Sequence, residues 1–355
     1  MIESPGITVA PAKKRYQWLD AARGIGIILV TIGHALGGLF DSPLGDGHDW
    51  LRQTFFLIYT FHMPLFFMLS GALVDHRIQT DRSKFRQSLL TDVVWPYFLW
   101  STVQFTVIFL LGNLTNRPQD ALWPTLIALP IVPISQFWFL YAIFLLHALA
   151  LVTLRALGRD GFLLLCLALK PLVFLIDMPL VVKLAALQAP WYGIGVFLAA
   201  GGLSALAVER PVWARLALPI VAAGLCVTAL FKIPDFTPTA DLLTAPAPVI
   251  AGLAWYWAVF PAAIVGALAV IGIAGLNLGR VGGGLQYLGR RSMPIFILHI
   301  MGIAGTRILL VKGFGITEPA VLLPVIVLAG IVFPLVAFEV LARLGWTRAL
   351  GLGRP

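Results

Sequence analysis

Long apolar runs constrain this chain more than any other feature. A helix needs about 20 mostly apolar residues to cross a bilayer. Runs of that kind recur at residues 18–40, 52–74, 89–112, 137–157, 161–177, 191–208, 212–231, 247–276, 292–311 and 319–342. The eighth is long enough to tilt and the fifth is short. Segment 118–136 is apolar but cut by Pro118, Pro124, Pro130 and Pro133, so it reads as interfacial or re-entrant. Charged residues are 12% of the chain and hydrophobic ones 59%, against about 25% charged in a soluble domain. So few charges could not cover a globular surface of this size, and a lipid solvent removes the need. The expected fold is all-α: one polytopic membrane helix bundle over residues 1–355, with about ten transmembrane helices and short tails at 1–15 and 343–355.

The net charge of +9 would suggest nucleic acid as a partner of a soluble protein. The placement of the charges gives a different account. With the N-terminus inside, Arg52, Arg117, Lys183, Lys232 and Lys312 fall in outer loops, and Arg23, Lys170 and Arg307 fall within spans. The remaining 17 of the 25 Lys and Arg lie on the inner side, Lys13, Lys14, Arg15, Arg77 and Arg354 among them. That asymmetry is the positive-inside pattern. It predicts an even number of spans with both termini cytoplasmic, and it explains the basic balance without nucleic acid. Aromatic pairs at span edges (Trp95 and Tyr97, Trp191 and Tyr192, Trp255 and Trp257) fit interfacial belts. Cys166 and Cys226 sit in apolar runs and point to neither a disulfide framework nor a metal site. The polar start predicts no cleavable signal peptide, and the short stretch after the last span predicts no fused soluble domain. Pro64, Pro171, Pro261 and Pro334 lie inside spans, where each frees a backbone carbonyl.

Ionisable residues at mid-bilayer cost about 2.5–3.5 kcal/mol on insertion scales, so each needs a reason. Arg23 and His34 are eleven residues apart in the first run, a helical step of about 16 Å that returns within about 20° of the same face. Asp20, three residues before Arg23, can pair with it. His62 falls near mid-depth of the second span, level with His34, and Ser70 follows two turns deeper. His299 lies two turns into the ninth span, with Arg307 on roughly the same stripe. His147, among apolar neighbours, reads better as a packing histidine. Imidazoles at one depth suggest a polar cavity. Neutral imidazole is a general base or acyl acceptor near pH 7, whereas arginine suits phosphate or carboxylate. An arginine at the cytoplasmic edge, in line with a mid-membrane histidine, fits a substrate with an anionic head and a reactive end deeper in. Acyl-coenzyme A has that shape.

These residues resemble the acyltransferase-3 superfamily of bacterial membrane O-acyltransferases, close to its fucose-4-O-acetylase-like branch. Leu19 to Ile25 followed by His34 is similar to that family's opening motif, an arginine, ten residues and a histidine. Phe61 to Gly71, Phe85-Arg86 leading to Trp95-Pro96-Tyr97, Phe137 to Leu140, and Leu288 to His299 resemble its later motifs in order. The basic stretch Asp81 to Ser88 lacks the doubled-arginine spacing found in some branches.

The resemblance implies transfer of an acyl group, usually acetyl, from cytoplasmic acetyl-CoA or another acyl-CoA to a hydroxyl, commonly of an envelope sugar or glycan. It implies the bacterial inner membrane as location, and His34 and Arg23 as the essential pair. On that reading Arg23, Arg82, Lys84, Arg86, Arg290 and Arg291 meet the CoA phosphates, Asp20 fixes Arg23, and His62 and His299 complete the catalytic group, with no metal. The polar outer loop Asp41, Asp46, His48, Asp49 and Trp50 could meet a sugar acceptor but reads first as a solvated loop. A homo-oligomer is compatible with the sequence. The rival reading is a proton-coupled secondary transporter that uses the same buried groups, against which stands the lack of an evident inverted repeat. A non-catalytic scaffold explains neither Arg23 nor His34.

Overall fold

The computed structural model describes residues 16–116, 121–232 and 249–353. The expected N-terminal tail with Lys13, Lys14 and Arg15, the loop residue Arg117, the terminal Arg354 and the side chains of Lys232, Trp255 and Trp257 lie outside the described residues. Among the described residues the chain is helical and contains no strand. The main helices are α1 (Gln17–Phe40), α2 (Asp49–Thr80), α3 (Arg82–Leu89), α4 (Trp95–Leu111), α5 (Leu122–Ala128) and α6 (Trp138–Leu175). They continue as α7 (Leu180–Ser204), α8 (Val212–Lys232), α9 (Val249–Ala274), α10 (Gly279–Arg290), α11 (Ser292–Ile308) and α12 (Pro319–Arg343).

Seven of the described helices are long and apolar enough to cross a membrane, or up to eight if the bent pair α9–α10 counts as one span. α6 contains two of the expected spans. Gly158 breaks it at φ 66° and ψ −176°, a backbone region that is essentially glycine-only. Tyr192 shows that the chain turns back there. Its hydroxyl is 2.8 Å from His147 Nδ1 and its ring centroid is 6.1 Å from that of Phe162. A straight helix would hold residues fifteen positions apart at roughly 22 Å. With α6 split into two arms, each of the ten expected apolar runs coincides with a helix. The main boundary change is α7, which begins at Leu180, eleven residues before the expected start.

Packing also orders stretches outside the expected spans. Within segment 118–136, the described residues 121–136 hold the short α5 and a 3-10 turn, in keeping with a non-spanning role. It is tied down by the Tyr97 hydroxyl donating to Leu129 O (2.6 Å) and the Tyr141 hydroxyl donating to Pro130 O (2.6 Å). The expected inner loop after α9 is instead α10, folded back at 120°. The C-terminal stretch is not a free tail as far as Gly353. The Trp95 and Trp100 indoles donate to Ala349 O (2.7 Å) and Leu350 O (2.8 Å), and Leu352 is buried.

α1 is the central helix, packed by α2, α9, α10, α11 and α12. Small residues allow this, because membrane helices associate through close backbone approach. A Cβ on Gly24 would sit 2.0 Å from Leu285 O, and one on Gly289 would sit 1.7 Å from Asp20 O. α2 and α7 meet the same way, Gly71 on Tyr192 O and Gly195 on Met68 O. The outer faces carry exposed apolar side chains such as Leu110, Ile127, Val152 and Ile220. Lipid suits such a surface better than water.

Candidate functional site

The antiparallel contact of α1 and α2 sets the site's depth. Gly26 lies against Leu65 and Phe66, Gly33 against Tyr59 and Ile58, and Gly37 against Phe55. His34 is therefore level with Tyr59, and His62 lies about one turn nearer the Arg23 end. α11 crosses α1 on another side and brings in His299. The His34 and His299 ring centroids are 5.0 Å apart, with an interplanar angle of 54°. Tyr59 stands edge-on to His34 at 6.3 Å and to His62 at 4.4 Å. The expected group of imidazoles is thus assembled from three helices, with one member that sequence reasoning missed. The only signal for Tyr59 was its place one turn before His62 on the same face.

The three histidines are not equivalent. His62 Nδ1 is 2.8 Å from Ile58 O. His299 Nδ1 is 2.7 Å from Phe296 O and 3.1 Å from Ile295 O. A carbonyl oxygen only accepts, so Nδ1 carries the proton in both rings and Nε2 carries the lone pair. Both residues are almost fully buried, at 1% and 0% exposure. His34 has no hydrogen bond among the described residues and keeps part of its surface accessible. Of the three imidazoles it has the most accessible surface.

Towards the N-terminal end of α1, Asp20 is buried and Arg23 is half-buried, and both have interaction partners. Gly289 abuts the Asp20 carbonyl, which brings the α10–α11 junction and so Arg290 and Arg291 to this end of the bundle. Arg291 stacks over Tyr287 (4.0 Å) and Phe338 (5.7 Å), while Arg290 is exposed. The antiparallel register puts the end of α2, and α3 after it, at this same end. Asp81 caps α3 by accepting from the Lys84 amide at 2.9 Å. On α3, Arg82 donates to Leu151 O (2.9 Å) and Lys84 pairs with Asp81 (3.0 Å), while Arg86 is exposed. Arg86 and Arg290 therefore present open guanidinium groups, whereas Arg82 and Lys84 are engaged by the protein.

Other singled-out residues have structural partners. His147 is buried on the Tyr192 hydroxyl, as a packing histidine would be. Arg307 donates to Gly38 O (3.1 Å) and to Asn116 Oδ1, joining α11 to the far end of α1. The loop at Asp41, Asp46, Asp49 and Trp50 is exposed. Cys166 and Cys226 are buried.

Comparison with known proteins places these features in context. A family model described as an acyltransferase domain, acyltransferase-3, matches residues 16–339. Nodulation protein NolL of Mesorhizobium japonicum is 36% identical over 132 residues, which is 36% of this chain and 32% of that protein. Nodulation protein NolL of Sinorhizobium fredii is 28% identical over 143 residues, 39% of this chain and 36% of its own length. The matches thus cover about a third of the length of these curated relatives. No solved structure matches.

Proposed function

The chain belongs to the acyltransferase-3 family, and from that premise we propose that it is a membrane O-acyltransferase. It moves an acyl group, acetyl in the first instance, from cytoplasmic acyl-CoA to a hydroxyl of an envelope sugar or glycan, in the inner membrane of a bacterium. The observation that carries this reading is His34: a part-exposed imidazole with no hydrogen bond among the described residues, in a group with two buried, Nδ1-protonated histidines and about three turns along one helix from Arg23.

The CoA phosphates meet Arg23, Arg86 and Arg290 at the basic end of the bundle, and Asp20 steadies that end of α1. The thioester reaches His34. In the direct route the acceptor hydroxyl gives its proton to His34 while its oxygen bonds to the acyl carbon. The carbon–sulfur bond then breaks, and the departing thiolate takes the proton from His34. In the covalent route His34 attacks the acyl carbon and the carbon–sulfur bond breaks to release the thiolate; the hydroxyl oxygen then takes the acyl group from His34, and its proton passes to the thiolate. The Nε2 lone pairs of His62 and His299 favour positive charge growing on His34.

Purified protein incubated with labelled acetyl-CoA tests the reading. An acyltransferase releases free CoA when acceptor is supplied, and the label moves to the acceptor. Proton-coupled flux without thioester cleavage would establish the transporter instead.

A further inference from the structure

His299 is packed so that its protonation pattern is fixed and one of its nitrogens has no partner among the described residues. Nδ1 donates to Phe296 O and lies within reach of Ile295 O. Nε2 therefore bears a lone pair, yet it is buried and has no hydrogen-bond partner among the described residues. A buried acceptor left unmade is costly in any fold, and such groups need an explanation. The aromatic ring nearest to hand that carries an unused N–H is His34, with centroids 5.0 Å apart. Among the described residues no hydrogen bond holds the His34 ring against turning a nitrogen towards His299 Nε2. Catalytic hydrogen bonds commonly tighten in this way once substrate is bound. His62 has the same Nδ1 arrangement, but its ring is packed edge-on to Tyr59.

We infer that His299 is a positioning residue for His34: its Nε2 accepts the His34 N–H and so leaves the second nitrogen of His34 as a lone pair aimed at the acceptor hydroxyl. This rests on the reading of His34 as the group that takes the hydroxyl proton. As that proton arrives on the second nitrogen, the His34 ring becomes cationic and the N–H it already donates to His299 bonds more strongly, which spreads the positive charge over the pair. The proton then leaves His34 for the thiolate sulfur, and the starting tautomers return. Triad enzymes use a carboxylate for this orienting task. A neutral imidazole does the same without placing a permanent charge inside an apolar bundle.

Two substitutions separate positioning from packing. In His299→Gln the amide oxygen stands near the place of Nε2, so an acceptor for His34 remains. In His299→Asn the amide reaches only the place of Nδ1, which keeps the backbone hydrogen bond but offers nothing to His34. His299→Gln should keep kcat within about tenfold of the parent, whereas His299→Asn should lose on the order of a hundredfold or more. The KM for acetyl-CoA should be the same in both, because His299 lies away from the basic end. Equal kcat in the two variants, whether high or low, overturns the inference. His34→Ala run in parallel keeps the two claims apart: activity retained there removes the role of His34 itself, whatever the His299 variants do.

Discussion

Gly289→Ala is the sharpest test of how the basic end of the site is built. In the wild type the α10 backbone rests directly on α1, and an added Cβ would lie 1.7 Å from Asp20 O, 2.7 Å from its carbonyl carbon and 3.0 Å from Gly24 N. All three atoms are backbone of the first turns of α1, so none can swing aside. Ordinary contact begins near 3.4 Å, so α10 must retreat by roughly 1.7 Å, an overpacking that costs about 1–3 kcal/mol. The shift also carries Arg290 and Arg291 away from Arg23. Displacements of about 1 Å in a positioning element can cost a hundredfold in rate, and the KM for acetyl-CoA should rise. The control lies on the same helix: a Cβ on Gly283 or Gly284 meets nothing within 4 Å. Alanine there should leave activity unchanged and raise stability by up to about 1 kcal/mol, through helix propensity. Thermal unfolding in detergent and KM for acetyl-CoA are the readouts. If Gly289→Ala melts with the wild type and binds acetyl-CoA normally, α10 does not pack on α1 as described.

The fold-back of α6 should be sensitive to Gly158→Ala. No atom crowds the site, so the roughly 1–3 kcal/mol loss would come from backbone strain alone and would appear as a lower melting temperature. Asp75→Asn removes the carboxylate that Arg159 meets at 2.6 Å. Because Arg159 is half-exposed, the cost should be nearer 1 kcal/mol than the several of a fully buried pair, and a melting temperature unchanged by that substitution would show the pair to be idle. The native cysteines are buried, so single cysteines report topology cleanly. Lys84→Cys should react with an impermeant thiol reagent only from the cytoplasmic side and Lys312→Cys only from the opposite side; labelling of both from one side would contradict the inferred orientation.

The helices were legible because a bilayer-crossing helix is written in composition over 20 residues, a signal that tertiary contacts do not override. What lay outside that signal was harder to read. α10 contains Gly282, Gly283 and Gly284, which lower helix propensity by up to about 1 kcal/mol each; its order comes from packing on α1, invisible in a local window. The start of α7 was hidden by Lys183 and Pro190, and Lys183 is accommodated by an ion pair to Asp177 at 3.0 Å. The docking of the C-terminal stretch depends on Trp95 and Trp100, some 250 residues away in the chain. In the candidate site, His34, His62 and His299 were legible because a polar residue inside an apolar run is costly. Tyr59 carried no such mark, since tyrosine is ordinary in membrane helices. Neither the unpartnered Nε2 of His299 nor its approach to His34 could be seen before three helices were brought together. The basic residues were located, but which of them are open was not: Arg82 and Lys84 turned out to have protein partners.

The central claim is that His34 carries the transfer, and the most direct measurement uses His34→Ala. Membranes holding equal amounts of inserted wild-type or variant protein are given acetyl-labelled acetyl-CoA and the envelope glycan of a strain lacking the protein. Label in the glycan and release of free CoA are followed together. The account predicts both for the wild type and neither for His34→Ala, with the variant folded and its melting temperature close to that of the parent. Labelled glycan at wild-type rate from the His34→Ala membranes would contradict it.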